Sequence, residues 1–136
     1  MTDWAIPSAE IPTGGWTEEK SIELATVLAK EGVDLVDCST SGSSPKQQIP
    51  RCFGCQVRFA MAIKQAAPNM LACAVRLITN AKQANDIVED DRADLVFLAR
   101  ALLHDPNFIL NGAADLGVFT QYPLQYERGH NKNILT

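Results

Sequence analysis

An arginine directly follows the most apolar strand candidate of the chain. Residues 95–99 predict a buried strand, and Arg100 follows it where a helix is predicted to begin. Sites in α/β proteins lie at the carboxyl ends of parallel strands, and a guanidinium matches the geometry of a phosphate group. The pattern alone fits a surface arginine that opens a helix or a phosphate ligand. The surrounding order of elements favours the phosphate ligand.

A second arginine lies in the turn after the preceding strand candidate. Residues 71–75 predict a buried strand, and Val75 and Arg76 lead into the turn that follows it. A turn that binds phosphate through backbone N–H groups usually contains glycine, because glycine lets the backbone approach the ligand. Arg76 could add a second cation to a phosphate site, or its side chain could obstruct the pocket. The sequence leaves both interpretations open.

Two further residue pairs have types that can do chemistry. Cys52 and Cys55 form a C-x-x-C motif, which can be a redox dithiol or half of a zinc site. No second C-x-x-C follows, and neither His104 nor His130 lies at ligand spacing, so we predict no metal. His104 and Asp105 could act as an acid–base pair. Adjacent residues rarely face each other on a helix, which favours a turn at a helix start instead.

Alternating helices and strands must position these residues. Strands are predicted at residues 33–38, 71–75 and 95–99. Helices are predicted after an N-cap at Thr17 and up to Gly32, at residues 57–67 and at residues 81–90, with closing helical turns at 101–103 and 108–116. This alternation requires parallel strands with right-handed crossovers. The sequence therefore predicts an α/β fold, with strands apolar enough to be buried on both faces.

The two ends of the chain are predicted to be irregular. Residues 1–16 are rich in proline, glycine and small residues and predict a lead-in without regular structure. Residues 117–136 predict an extended tail that contains Tyr122, Tyr126 and Arg128. The tail could be a loose terminus, or an arm that packs on another subunit, because tyrosine and arginine are favoured at interfaces.

The composition indicates one acidic domain. The chain has 136 residues and a net charge of -4, which suits a single domain and argues against non-specific nucleic-acid binding. No run of 18 apolar residues occurs and the N-terminus lacks the layout of a secretory signal, so we expect neither a membrane span nor export. Cys38 and Cys73 lie in apolar runs and are expected in the core. We expect a cytoplasmic protein in a reducing compartment.

Several segments together resemble the C-terminal part of the Old Yellow Enzyme family, in its NADPH dehydrogenase subgroup. The strongest are residues 32–39, 44–50, 74–79, 93–106 and 123–129. The resemblance implies a partial (β/α)8 TIM barrel that contains the last three βα units. It also implies FMN as the cofactor and NADPH as the reductant, with an activated C=C bond of a small-molecule substrate as the acceptor.

The resemblance implies roles for individual residues. Arg100 would bind the FMN phosphate, with Ala99 where the family often has glycine. The turn at Val75 and Arg76 would donate backbone groups to the same phosphate, although Arg76 replaces a family glycine. Arg128 would reach into the active site of a neighbouring subunit, which requires an oligomer.

The chain is expected to be only part of such an enzyme. It would begin after the fifth strand of the barrel, and it would lack the family's active-site cysteine and tyrosine and its paired histidines. Three strands cannot close a barrel, so an open sheet would expose an apolar face and two edges. We therefore expect the lone chain to be incomplete as an enzyme, and to associate with itself or with a longer relative. The alternative is a non-catalytic half-barrel remnant that serves as an interaction module.

Overall fold

Helices and parallel strands alternate along the chain. The structure is a computed structural model that describes residues 2–3, 17–39 and 53–130, with the backbone alone at residues 2, 3, 128 and 130. The strands are β1 (Thr2–Asp3), β2 (Leu35–Ser39), β3 (Leu71–Ala74) and β4 (Leu95–Val96). The helices are α1 (Glu18–Lys30), α2 (Val57–Ala66), α3 (Ala81–Glu89), α4 (Arg100–His104), α5 (Phe108–Asp115) and α6 (Glu127–His130).

The strands form one parallel sheet in the order β1-β2-β3-β4. Leu35 of β2 lies opposite Leu71 of β3, and Cys73 of β3 lies opposite Leu95 of β4. Strands that follow one another in the sequence are neighbours in the sheet, and each connection therefore crosses over to a parallel neighbour. The predicted α/β class with parallel strands is confirmed. The sheet is compatible with part of a (β/α)8 barrel, and the described strands do not close one.

Local sequence signals determine where α1 begins and ends. The Thr17 hydroxyl accepts a hydrogen bond from the Lys20 N–H at 3.4 Å, which satisfies a free N–H of the first turn. Gly32 has a φ of 85°, and the Val33 N–H donates to the Leu28 carbonyl at 3.0 Å. This is the Schellman arrangement, which glycine favours because it lacks a Cβ. The predicted N-cap and helix stop are confirmed.

One face of the sheet carries the hydrophobic core. Buried residues of β2 and β3 pack with the buried sides of α1, α2 and α3 in one cluster, whose largest fully buried members are Phe59, Ile63, Met70 and Ile87. Cys38 and Cys73 are fully buried with free thiols, as the apolar runs around them predict. Burial of apolar surface on this side is the main source of the stability of the fold.

The opposite face of the sheet is partly exposed, although Cys73 on this face is fully buried. Leu71 is 47% exposed, Leu95 37% and Phe97 43%, although all three belong to apolar strand segments. The prediction that the strands are buried on both faces is therefore wrong for these residues. The exposure of these three side chains agrees with the expectation that an open sheet leaves apolar surface uncovered. A hydrophobic run in the sequence predicts that both faces of a strand are buried, but the described residues leave Leu71, Leu95 and Phe97 partly exposed to solvent.

The largest differences from the predicted boundaries are at β4 and at the two ends of the chain. β4 ends at Val96 rather than at Ala99, because its neighbour β3 ends at Ala74 and the Phe97 N–H donates to the Ala74 carbonyl as the last link. The predicted irregular lead-in contains β1, which pairs with the end of β2. The predicted extended tail contains the short helix α6. No helix within the described ranges is both long and apolar enough to cross a membrane.

Candidate functional site

A cavity of about 570 Å³ lies at the carboxyl ends of β3 and β4. Its walls are the turn after β3, the turn after β4, and the helices α4 and α5. Because β3 and β4 are parallel neighbours, both turns lie at the same edge of the sheet. The cavity volume lies within the range of about 300–1,000 Å³ that is typical of small-ligand sites.

All four residues that the sequence predicts as cofactor-binding line this cavity. Val75 and Arg76 come from the turn after β3, and Ala99 and Arg100 come from the turn after β4. The two arginines are 24 positions apart in the sequence, and both line one cavity because the strand pairing brings the two turns to the same edge of the sheet. Their placement agrees with the predicted phosphate site, and their roles stay predictions.

The turn after β3 has an unusual backbone. Arg76 has a φ of 90° and Leu77 a φ of 50°, so two successive residues with side chains adopt conformations that favour glycine. The Gln83 side chain holds this turn at two points. Its Nε2 donates to the Leu77 carbonyl at 3.1 Å, and its Oε1 accepts from the Thr79 N–H at 3.1 Å. Tertiary contacts of α3 therefore maintain the conformation that carries Arg76.

The turn after β4 places a guanidinium at the start of α4. Ala99 precedes the helix, and its carbonyl accepts from the Leu102 N–H at 3.1 Å. Arg100 is the first helical residue and is exposed at the cavity wall. Since α4 has only five residues, its dipole is short. Attraction for an anion must therefore come mainly from the Arg100 guanidinium rather than from the predicted helix N-terminus.

His104 and Asp105 also line the cavity, but Asp105 has a structural role. One oxygen of its carboxylate accepts from the Asn107 N–H at 2.9 Å, and the other accepts from the Asn111 Nδ2 at 2.9 Å. These bonds join the end of α4 to α5. This hydrogen bonding confirms the interpretation of Asp105 as part of a turn at a helix start. Its carboxylate bonds to Asn107 and Asn111 rather than to His104.

The helices α3 and α5 approach each other closely at residues that line the cavity. Gly112 is buried on α5, and a Cβ at this position would lie 2.6 Å from the Cβ of Ala81 on α3. Both residues line the cavity. Only glycine allows this approach, because even a methyl group needs about 3.5–4.0 Å from another carbon.

The tail lies partly against α5. The Tyr122 hydroxyl donates to the Leu110 carbonyl at 3.4 Å, so this part of the tail is attached to the domain. The backbone of Arg128 lies in α6, and its side chain lies outside the described residues. The predicted contribution of Arg128 to a neighbouring active site stays a prediction.

The cysteines have two different environments. Burial raises the pKa of Cys38 and of Cys73 to about 12, and the nearby Asp37 carboxylate adds to both shifts. Both thiols are therefore protonated and inert at neutral pH. Cys55 takes part in a disulfide bond, and Cys52 lies outside the described residues, so the C-x-x-C hypothesis is open. No group of three or more metal-ligating side chains occurs in the part of the chain that the structure describes.

Sequence reasoning missed two residues that shape the site. Gln83 lies three positions after the N-cap Asn80, whose side chain accepts from the Gln83 N–H at 2.8 Å. This spacing is a capping-box signal that could have identified Gln83 as a residue of the turn. Gly112 carries no comparable signal, because a single glycine within a helical pattern does not reveal its packing partner.

Comparisons with known proteins agree with the resemblance that the sequence motifs indicate. No protein-family model matches the chain. The chain is 42% identical over 123 residues to a protein named NADPH dehydrogenase from Halalkalibacterium halodurans, which covers 90% of this chain and 36% of that protein. It is also 42% identical over 108 residues to the NADPH dehydrogenase of Bacillus subtilis, which covers 79% of this chain and 31% of that protein.

The extent of these matches defines the relationship. Identity of 42% over most of the chain indicates common ancestry, and the chain spans about a third of the length of the relatives it matches. The predicted resemblance to the NADPH dehydrogenase subgroup of the Old Yellow Enzyme family is confirmed on this basis. The chain is a relative of the NADPH dehydrogenases that corresponds to about one third of such a protein.

Proposed function

We propose that the cavity binds the phosphate group of FMN, and that the chain is the phosphate-binding part of an NADPH-dependent oxidoreductase of the Old Yellow Enzyme type. The observation that carries the proposal is that Arg76 and Arg100 both line one cavity at the carboxyl ends of two parallel strands. The relatives named NADPH dehydrogenase support the same function.

The residues of the cavity fit a phosphate ester joined to a flat apolar ring system. Two guanidinium groups supply charge-assisted donors, and they remain charged at any physiological pH. Apolar side chains from both turns and from α5, among them Leu77, Phe97 and Phe108, line the same space. A ligand with one anionic end and an apolar body uses both kinds of surface.

Within this proposal the chain binds and orients the cofactor. Arg100 holds the phosphate, the turn at Val75 and Arg76 closes around it, and Ala99 leaves room beside the guanidinium. When bound, FMN supplies hydride transfer from NADPH to an activated C=C bond of a small-molecule substrate. The two arginines thereby fix one end of the cofactor, which orients its ring system relative to the protein.

We further propose that catalysis needs more than this chain. The chain spans about a third of its relatives, and the sheet exposes an apolar face. Both observations support assembly with a second copy or with a longer relative, in which Arg128 would contribute to a shared active site. We propose the cytoplasm as the compartment.

Binding of FMN and of riboflavin separates the phosphate contact from the ring contact. FMN is expected to bind more tightly than riboflavin, and Arg100→Ala is expected to reduce this preference. One charge-assisted hydrogen bond contributes about 1.5–3 kcal/mol, which is about 10- to 150-fold in affinity. Quenching of flavin fluorescence during titration measures both constants.

A matched variant controls for the loss of positive charge. Arg58→Ala removes an exposed arginine whose guanidinium lies over the Phe59 ring, outside the cavity lining. It should leave the FMN preference unchanged. Equal affinity of the parent protein for FMN and riboflavin, or an Arg100→Ala protein that keeps the full preference, would contradict the proposed function.

A non-catalytic interaction module is the second candidate. The exposed Leu71, Leu95 and Phe97 on one sheet face favour it, because an apolar face of this kind is suited to an interface. An oligomer in light scattering, together with no flavin binding in the fluorescence titration, would support this candidate over the oxidoreductase. A monomer that binds FMN tightly would exclude it.

A further inference from the structure

Arg76 occupies a backbone conformation that a side chain opposes. Its φ of 90° lies in the left-handed half of φ/ψ space, and the next residue, Leu77, also has a positive φ. Such conformations persist in residues other than glycine where the surrounding structure imposes them, and they concentrate at functional sites. A glycine at position 76 would remove the strain, so an arginine there requires a reason in its side chain.

The surroundings of Arg76 indicate what that reason is. Residue 76 lies two positions beyond the end of β3, lines the cavity and is half-buried. Gln83 holds the turn from α3 through the Leu77 carbonyl. Arg76 therefore lines the cavity from a turn that α3 supports, and Arg100 lines the same cavity.

Two carboxylates line the cavity together with the two arginines. Asp105 and Asp115 are the carboxylates that line it. Both carboxylate oxygens of Asp105 accept hydrogen bonds, one from the N–H of Asn107 at the start of α5 and one from the Asn111 Nδ2 in α5. Asp115 lies at the last residue of α5. The turns after β3 and β4 contribute Arg76 and Arg100 and no carboxylate to the cavity lining.

We infer that Arg76 is a specificity-determining residue that, together with Arg100, makes the cavity selective for doubly charged phosphate monoesters over singly charged anions of the same shape. This inference rests on the proposed function, because it requires that the cavity is a phosphate site. A phosphate monoester carries close to two negative charges above its second pKa of about 6, and two guanidinium groups match that charge. The strained backbone at Arg76 is maintained because the second cation is needed there.

The experiment measures charge selectivity with ligands of one shape. Phenyl phosphate and phenyl sulfate are used at pH 7.5 as competitors of FMN, because the first is a dianion and the second a monoanion. The parent protein is expected to prefer phenyl phosphate. Arg76→Gln should weaken FMN binding about tenfold or more, since a charge-assisted hydrogen bond is lost. It should also reduce the difference in affinity between phenyl phosphate and phenyl sulfate.

Three variants separate the charge from the backbone. Arg76→Lys keeps the charge and should retain most of the selectivity. Arg76→Gly relieves the positive φ, so it should unfold at a higher denaturant concentration than the parent and still lose selectivity. Arg58→Gln removes a positive charge outside the cavity lining and should change neither the affinity for FMN nor the preference for phenyl phosphate.

Failure of this inference differs from failure of the proposed function. If the parent binds FMN and riboflavin equally, the phosphate site itself is wrong. If the parent prefers FMN while Arg76→Gln keeps its affinity and its phosphate selectivity, the inference about Arg76 is wrong. Tighter FMN binding by Arg76→Gly than by the parent also overturns it, because the side chain would then obstruct the pocket.

Discussion

Gly112→Ala is expected to destabilise the protein through one contact between α3 and α5. The added Cβ would lie 2.6 Å from the Ala81 Cβ, so the two helices would have to separate by about 1 Å to reach normal carbon contact. Overpacking of this kind costs about 1–3 kcal/mol. Replacing glycine by alanine within a helix returns about 0.5–1 kcal/mol. The net expectation is a loss of about 0.5–2 kcal/mol in the free energy of unfolding.

Urea denaturation followed by circular dichroism measures this loss. With a slope of about 1.5 kcal/mol per molar urea, the midpoint should fall by about 0.3–1.3 M. Because Gly112 and Ala81 both line the cavity, FMN affinity should fall as well. Gly129→Ala in α6 is the matched control, since a Cβ there has no neighbour within 4 Å, and it should leave the midpoint unchanged or raise it slightly.

A double-mutant cycle tests whether the Ala81 methyl group is the cause. Ala81→Gly should be less costly in the Gly112→Ala background than in the parent, with a favourable coupling of about 1–2 kcal/mol. A Gly112→Ala protein as stable as Gly129→Ala, or a cycle without coupling, would refute the reasoning from this contact.

Two further predictions follow from side chains that hold the turns of the sheet. Gln83→Ala should weaken FMN binding and leave α3 folded, because the Leu77 carbonyl and the Thr79 N–H lose their partner; Gln83→Glu, which keeps only the acceptor, should have an intermediate affinity in the same titration. Burial acts to raise the pKa of Asp94, but the Ala72 N–H and the Lys64 ammonium lower it below its ordinary value. The stability that Asp94 contributes is therefore present above pH 4 and lost as the pH falls through the lowered value. Asp94→Asn should be less stable than the parent at pH 7. Its free energy of unfolding should fall less than that of the parent between pH 5 and pH 3, as measured by urea midpoints. Equal pH dependence of the two proteins would show that this ion pair is not linked to folding.

The exposed apolar side chains of the sheet lower the stability of the chain. A large apolar side chain gains about 1.5–3 kcal/mol when it moves from water into a core, and Leu71, Leu95 and Phe97 each obtain only part of this gain. Typical domains are stable by about 5–15 kcal/mol in total. Covering these three side chains would therefore change the stability of the chain by a large fraction.

Much of the fold could be predicted from local sequence. Thr17 and Gly32 mark the ends of α1 because their effects act within one turn of the chain. The apolar periods place the three helices of the core and the strands between them. The positions of Arg76 and Arg100 after strands indicated one cavity, because parallel neighbours present their carboxyl ends at the same edge.

Other features were decided by contacts between distant residues. β4 is short because β3 ends early, and that end depends on the turn at Arg76 rather than on the apolar residues of β4 itself. Gly112 is required by Ala81, which lies 31 positions away. The sequence by itself determined the helices, the parallel order of strands and the arginines after them, since these follow from interactions between near neighbours. Only the tertiary structure decided the positive φ at Arg76, the approach of α3 and α5 and the exposed sheet face, because each depends on which surfaces meet after the chain has folded.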